Sequence, residues 1–259
     1  MRALVLLREQ VRPYQLEWRF DSEGQAHPLN DPEWEVIRQE LLAPEGSVII
    51  QLAGGAAGVG RTYVDYRGLR CYPLPWPGRE RDVSALFIRV PTEYLEERGP
   101  KCVHQWALAM AEALPFASGY VSLAWVEGGM EDDAGERVST RYPGIHLTWE
   151  GPDIGVAANV DGVHWMNFLG PPVLGKLGGI SGLREHLTLP GISIQELSGD
   201  RALVTLGDAP NPGDVDAGET LPMHRALARL LEPHLYRNSR LLGRMTPEDM
   251  RRWERRFLD

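Results

Sequence analysis

The chain has 259 residues, enough for one large domain or two small ones and for a substantial buried core. Its apolar and charged fractions, 43% and 24%, are those of an ordinary globular protein. The net charge of −9 argues against a nucleic-acid binder, which needs a basic footprint, and no segment approaches transmembrane length.

Ala3 to Val11 and Tyr14 to Phe20 read as two strands joined at Arg12-Pro13. The apolar run near the N-terminus is too short for a signal-peptide core, and charges follow it at once. Asp31-Pro32 is an N-cap with a first-turn proline. Trp34, Ile37, Leu41 and Leu42 then mark one helical face. Ser47 to Leu52 and Arg61 to Tyr66 are strands. Between them, Gly55 to Thr62 departs from a phosphate-binding P-loop only by arginine in place of lysine. A P-loop must open a helix, whose amides help to hold the phosphate. The residues after it are aromatic, β-branched and proline-rich, so the segment is expected to be a hairpin connection that binds no nucleotide.

Val83 to Val90 is a strand. A helix capped by Thr92 is interrupted at Gly99-Pro100 and resumes from Lys101 to about Leu114, with Val103, Trp106, Met110 and Ala113 on one face. Gly119 to Val126 reads as one strand, Glu127 to Glu136 as an acidic loop, and Ile145 to Trp149 as another strand. Ile192 to Leu197 and Arg201 to Leu206 form a hairpin about Ser198-Gly199-Asp200. Asp208 to Glu219 is a second acidic loop, and a helix follows from Pro222. Thr246-Pro247-Glu248-Asp249 opens a terminal helix with Met250, Trp253 and Phe257 on one side and arginines on the other. From Arg237 onward seven arginines face four acids, so this tail is +3 and the remainder −12. The tail is expected to dock on its own body or on a second copy. Strands and helices mix without strict alternation, so the expected class is α+β: mixed, mainly antiparallel sheets packed with several helices. The expected division is a single domain over 1–236 and a basic helical extension over 237–259.

The least ordinary stretch is His164 to Leu187. An apolar block carries one lone amide, Asn167. Pro171-Pro172 stop it and start a short helix that ends at Gly178-Gly179, and Ser181 is placed to cap a second short helix. The run Trp165-Met166-Asn167-Phe168-Leu169-Gly170-Pro171-Pro172, followed by Leu177-Gly178-Gly179 and Leu183-Arg184, resembles the type VI secretion immunity (TsiV-like) family. Gln105-Trp106-Ala107 leading into Gly119-Tyr120-Val121-Ser122-Leu123, and Pro143-Gly144-Ile145-His146-Leu147, support the resemblance, which runs from about the first strand to about His234. It is a pattern of packing residues and brings no catalytic residue. It implies a protein that binds and silences a toxin delivered between bacteria, often a nuclease.

No zinc-binding His-Glu-x-x-His helix and no Gly-x-Ser-x-Gly elbow occur. Cys71 and Cys102 make neither a zinc site nor a disulfide framework, which fits a reducing, cytoplasmic compartment. No metal and no cofactor is expected. His146 and His164 lie in apolar segments, where a packing histidine is the commoner case and a general base the alternative. The expected function is therefore an immunity protein that blocks the active site of a nuclease toxin, with no direct contact to nucleic acid or membrane. An enzyme with a site near His146 and His164, and a structural homo-oligomer, are the alternatives, and a homodimer through the C-terminal helix is a further expected pairing. An acidic partner mimics the charge a nuclease groove is built to hold. The interface candidates are Glu131, Asp132, Asp133 and Glu136 in the first acidic loop and Asp208, Asp214, Asp216 and Glu219 in the second. Tyr72, Trp76 and Arg79 are candidate anchors on the Pro-rich loop.

Overall fold

The computed structural model describes residues 2–11, 14–43, 47–55, 62–69, 82–126, 134–148, 151–152, 154–237, 241 and 245–259, the side chains of Glu136 and Ser139 excepted. The chain forms two compact units. One comprises Met1–Leu114 with Gly151–Ala157, the other Pro115–Glu150 with Ala158–Asp259.

The first unit runs α1 (Arg2–Gln10), β1 (Trp18–Phe20), β2 (Ala26–Pro28), α2 (Asp31–Leu42), β3 (Val48–Ala53), β4 (Tyr63–Gly68), β5 (Ala85–Arg89) and α3 (Thr92–Glu112). Its strands form one antiparallel sheet in the order β2-β1-β3-β4-β5. The first segment is a correction: the strand expected over 3–11 is the helix Arg2–Gln10. Leu4, Leu7 and Val11 are buried at helical spacing beside Met110 of α3, while Val5 is 48% exposed. The Tyr94 hydroxyl of α3 donates to the Gln10 carbonyl at 3.1 Å. Helix α2 is capped one residue earlier than expected, by Asn30, whose side chain accepts from the Glu33 amide at 3.1 Å. Ile37 is fully buried, but Leu42 falls off the stripe and is 64% exposed. Arg19 of β1 ties the sheet to α2 through Glu33 (3.2 Å) and Glu40 (2.5 Å). Helix α3 breaks where its sequence says it should, at Gly99 with φ of 76°, ahead of a proline that lacks an N–H. Thr92 is its first residue rather than its cap.

The P-loop look-alike leads into β4, a strand, and opens no helix. Thr62 is buried with its hydroxyl donating to the Tyr14 carbonyl at 2.9 Å, so it has a structural use. Residues 56–61 lie outside the described residues.

The second unit runs β6 (Ser118–Val121), β7 (Leu123–Val126), α4 (Ala134–Arg141), β8 (Ile145–Thr148), β9 (Met166–Leu169), α5 (Pro171–Leu174), α6 (Gly179–His186), β10 (Ile192–Leu197), β11 (Arg201–Leu206), α7 (Pro222–Leu231) and α8 (Pro247–Glu254). The order β10-β11-β9-β6 is antiparallel, whereas β7 and β8 pair in parallel. The strand expected over 119–126 is thus two strands that join different sheets. The first acidic loop is also shorter than expected, because α4 begins at Ala134. Ser181 lies inside α6, whose N-cap is Gly178. The α+β class holds.

Strand β9 shows why the sequence around it is so apolar. It is paired on both edges, and all four of its residues are buried, so both faces are covered and no alternation survives. Leu169 belongs to a core with Val173, Leu183, Val204, Leu227, Leu231 and Phe257. Gly170 comes next because nothing larger fits. A Cβ there would stand 2.2 Å from the Phe116 carbonyl oxygen. Helix α8 is docked within this unit: Met250 joins Leu147 and Met245 in a small cluster, and Phe257 enters the main core. Its start is a full capping box, Thr246 and Asp249 bonding each other's backbone amides.

Candidate functional site

The second acidic segment is a built turn rather than a slack loop. Asp208, Asp216 and Glu219 are exposed, and Asp214 is half-buried at its centre. Asp214 caps a 3-10 turn over Val215–Ala217, its carboxylate accepting from the Asp216 amide at 3.1 Å. Arg141, the last residue of α4, donates to both oxygens of that carboxylate, through Nε at 3.0 Å and Nη2 at 2.7 Å. A planar guanidinium fork on a carboxylate fixes direction as well as distance. That hydrogen bond holds the Asp214 carboxyl below its ordinary range and raises the arginine above its own. The Gly144 amide donates to the Pro212 carbonyl at 2.7 Å, and a Cβ on Gly144 would meet the Asn211 oxygen at 2.1 Å. The segment is therefore clamped against the stretch between α4 and β8.

These contacts separate the candidate residues by role. Asp214 is occupied in shaping the turn. Asp208, Asp216 and Glu219 are exposed, with Arg141 Nε 3.4 Å from Asp216 Oδ2 and Glu219 Oε2 accepting from the Asp214 amide at 3.4 Å. Of the first acidic loop, the Glu136 backbone lies in α4. Glu131, Asp132, Asp133, Tyr72, Trp76 and Arg79 lie outside the described residues. Sequence reasoning missed Arg141, because nothing near it in the chain marks it as the partner of a distant turn.

The rival candidate, His146 with His164, proves to be a real pair, but an enclosed one. The residues are 4% and 2% exposed, with ring centroids 4.9 Å apart. Tyr120 of β6 stacks on His164 at 3.9 Å and meets His146 edge-on at 5.2 Å. The His164 ring donates through Nε2 to the Asp161 carbonyl, which only accepts, so its proton sits on Nε2. His146 Nε2 lies 3.2 Å from the Tyr120 hydroxyl, which in turn donates to Asp161 Oδ2 at 3.4 Å. That chain places the His146 proton on Nε2 as well. Burial drives His164 down to about 3 and holds His146 well below its ordinary value, so both rings are neutral near pH 7. The Arg256 guanidinium lies over the Trp253 and Phe257 rings at 4.2 and 4.7 Å and donates to the Pro143 carbonyl at 2.7 Å. Tyr120 packs against both rings and Trp253 against His146. Among the described residues, no group of three or more His, Cys, Asp or Glu side chains is placed to hold a metal ion, and no helix is long and apolar enough to cross a membrane.

Comparison with known proteins gives the exposed acidic turn its context. A family model described as type VI immunity for VRR-NUC matches residues 1–257. No curated protein matches. Among solved structures, the Pseudomonas aeruginosa T6SS protein PA0821 superimposes with a TM-score of 0.76 at 20% identity, over 98% of this chain and 77% of that one. At that identity the likeness shows the fold alone. The family match extends over all but the last two residues, and the chain belongs to the TsiV family of type VI immunity proteins for VRR-NUC nuclease toxins.

Proposed function

We propose that this chain acts in the cytoplasm by binding a cognate VRR-NUC nuclease and covering its DNA-binding groove, without catalysing a reaction of its own. The observation that carries the reading is the clamped acidic turn. Asp208, Asp216 and Glu219 stand outward on a segment held by the Arg141–Asp214 fork, in a chain of net charge −9. Fixed carboxylates lose little conformational freedom on binding and match the field a nuclease keeps for phosphates. Glu131, Asp132, Asp133 and Glu136 add to the acidic charge of the chain, and Tyr72, Trp76 and Arg79 are residues of the kind that carry binding energy. The partner is the toxin rather than a second copy, since Met250 and Phe257 are already buried within their own unit.

The test is a DNA-cleavage assay of the purified cognate nuclease with increasing amounts of this protein, alongside size-exclusion chromatography of the mixture. Inhibition that saturates at one molecule per nuclease, with a co-eluting complex that no longer binds DNA, is the expected result. A complex that still binds DNA overturns groove covering. Inhibition far below stoichiometric amounts points to catalysis instead.

A further inference from the structure

His146 on β8, His164 ahead of β9 and His224 in the first turn of α7 converge on one closed core beneath α8, at 4%, 2% and 2% exposure. Other elements bring titratable or charged groups to the same place. These are Tyr120 from β6, Asp161 from the loop that carries His164, and Arg256 with Glu254 from the end of α8. The rings are in direct contact: His146 with Trp253 at 5.4 Å, His224 with Phe257 at 5.2 Å, and Arg256 over both aromatics. Among the described residues, Nδ1 of all three histidines is buried with no hydrogen-bond partner.

A neutral imidazole tolerates a bare lone pair at Nδ1. An imidazolium does not, because both of its nitrogens are donors and a buried donor without an acceptor is costly. Here the new charge would also arise beside the Arg256 cation. We propose that this core is an acid-operated latch: on acidification, proton uptake by His146 and His224, the two rings packed on Trp253 and Phe257, detaches α8 and the turn through Phe257 from the second unit while the β9–β11 sheet stays folded.

The helix is the element that yields, for a topological reason. Strands β6, β8 and β9 are held by ladder hydrogen bonds, whereas α8 is a helix of 8 residues attached through side chains and a few carbonyls. Its release exposes the His146 and His224 faces and removes Arg256 together. Acid opens the latch rather than closing it. Burial, aided by Arg256, brings His164 to about 3 and His224 to about 4 and keeps His146 well down. An exposed imidazole titrates near 6.5. The folded values lie below the free ones, so the latch holds fully above that pH and weakens as pH falls towards 4. Each coupled histidine multiplies the opening constant about eightfold between pH 6 and 5, and the two together about sixtyfold.

The experiment is amide hydrogen exchange on the full chain between pH 7 and 4.5, corrected for intrinsic exchange, with ¹⁵N-imidazole NMR on the same samples. Opening at Met250 to Phe257 should rise about sixtyfold between pH 6 and 5, while Val204 of β11 stays protected. All three rings should remain neutral, with Nδ1 bare in His146 and His164, while the latch is closed. In His224→Phe the rise should drop to about eightfold. A pH-independent opening, titration of His146, His164 or His224 near 6.5 in the closed form, or simultaneous loss of β11 protection each overturns the latch. Should His224→Phe fail to fold, the parent chain's slope and its imidazole spectra decide the matter alone.

Discussion

His164 and Asn167 exchange two hydrogen bonds across a single turn of buried chain. The His164 amide donates to Asn167 Oδ1 at 2.9 Å, and Asn167 Nδ2 donates back to the His164 carbonyl at 2.7 Å. Nδ2 also reaches the Val204 carbonyl of β11 at 3.4 Å. The one amide in an otherwise apolar run thus satisfies backbone groups that the entry into β9 leaves unpaired, and it holds His164 against Tyr120. Asn167→Ala should destabilise the protein by about 3 kcal/mol, since it leaves a buried N–H and C=O without partners. Urea unfolding checks this; a loss under about 0.5 kcal/mol would mean that other groups replace the amide.

Two glycines of similar appearance should respond oppositely. A Cβ on Gly170 would lie 2.2 Å from the Phe116 oxygen and 2.8 Å from that of Ala117, both backbone atoms that cannot swing away. Gly170→Ala should cost several kcal/mol, about 3 or more, with poor recovery of folded protein. Gly175 has φ of −60°, and a Cβ there would have nothing within 4 Å. Gly175→Ala should be neutral or stabilise by up to about 1 kcal/mol, because it restricts only the unfolded chain. Thermal melts of the two variants side by side make the comparison.

The terminal helix should contribute stability through both its start and its packing. Thr246→Ala removes one arm of the capping box and should cost about 1 kcal/mol. Truncation before Met245 deletes Met245, Met250 and Phe257, buried to 7%, 3% and 3% exposure, and should lower the melting temperature far more. Calorimetry that finds the truncated chain melting like the parent would show α8 to be a loose appendage.

Charge on the acidic turn should act on encounter rather than on folding. Neutralising Asp208, Asp216 and Glu219 together should slow association with the cognate nuclease and flatten its salt dependence, with dissociation little changed. Screening at physiological salt leaves a range of about 8 Å, so only carboxylates near the contact matter. Asp214→Asn should differ, because it weakens the Arg141 fork and loosens the turn that presents the others. Stopped-flow binding at several ionic strengths separates the two effects. Unchanged association in the triple variant at every salt concentration would leave Tyr72, Trp76 and Arg79 as the interface candidates.

Much of this protein is written in local chemistry. The Thr246 capping box, the hairpin over 192–206, the break at Gly99-Pro100 and the short helix started by Pro171-Pro172 each depend on residues within a few positions, so spacing and backbone preference suffice to place them. The acidic character of 208–219 was equally plain. Tertiary structure decided what local preference left balanced. Ala3 to Leu7 suits either period, and packing beside α3 made it a helix. The run 119–126 was continuous in hydrophobicity, yet hydrogen bonding to β9 on one side and β8 on the other divided it. Arg141 became the clamp of Asp214, and His146, His164, His224 and Arg256 became one core, only because distant segments fold to the same place. Such partners meet through packing and desolvation, which depend on the whole surrounding shell and leave no mark in the residues beside them along the chain.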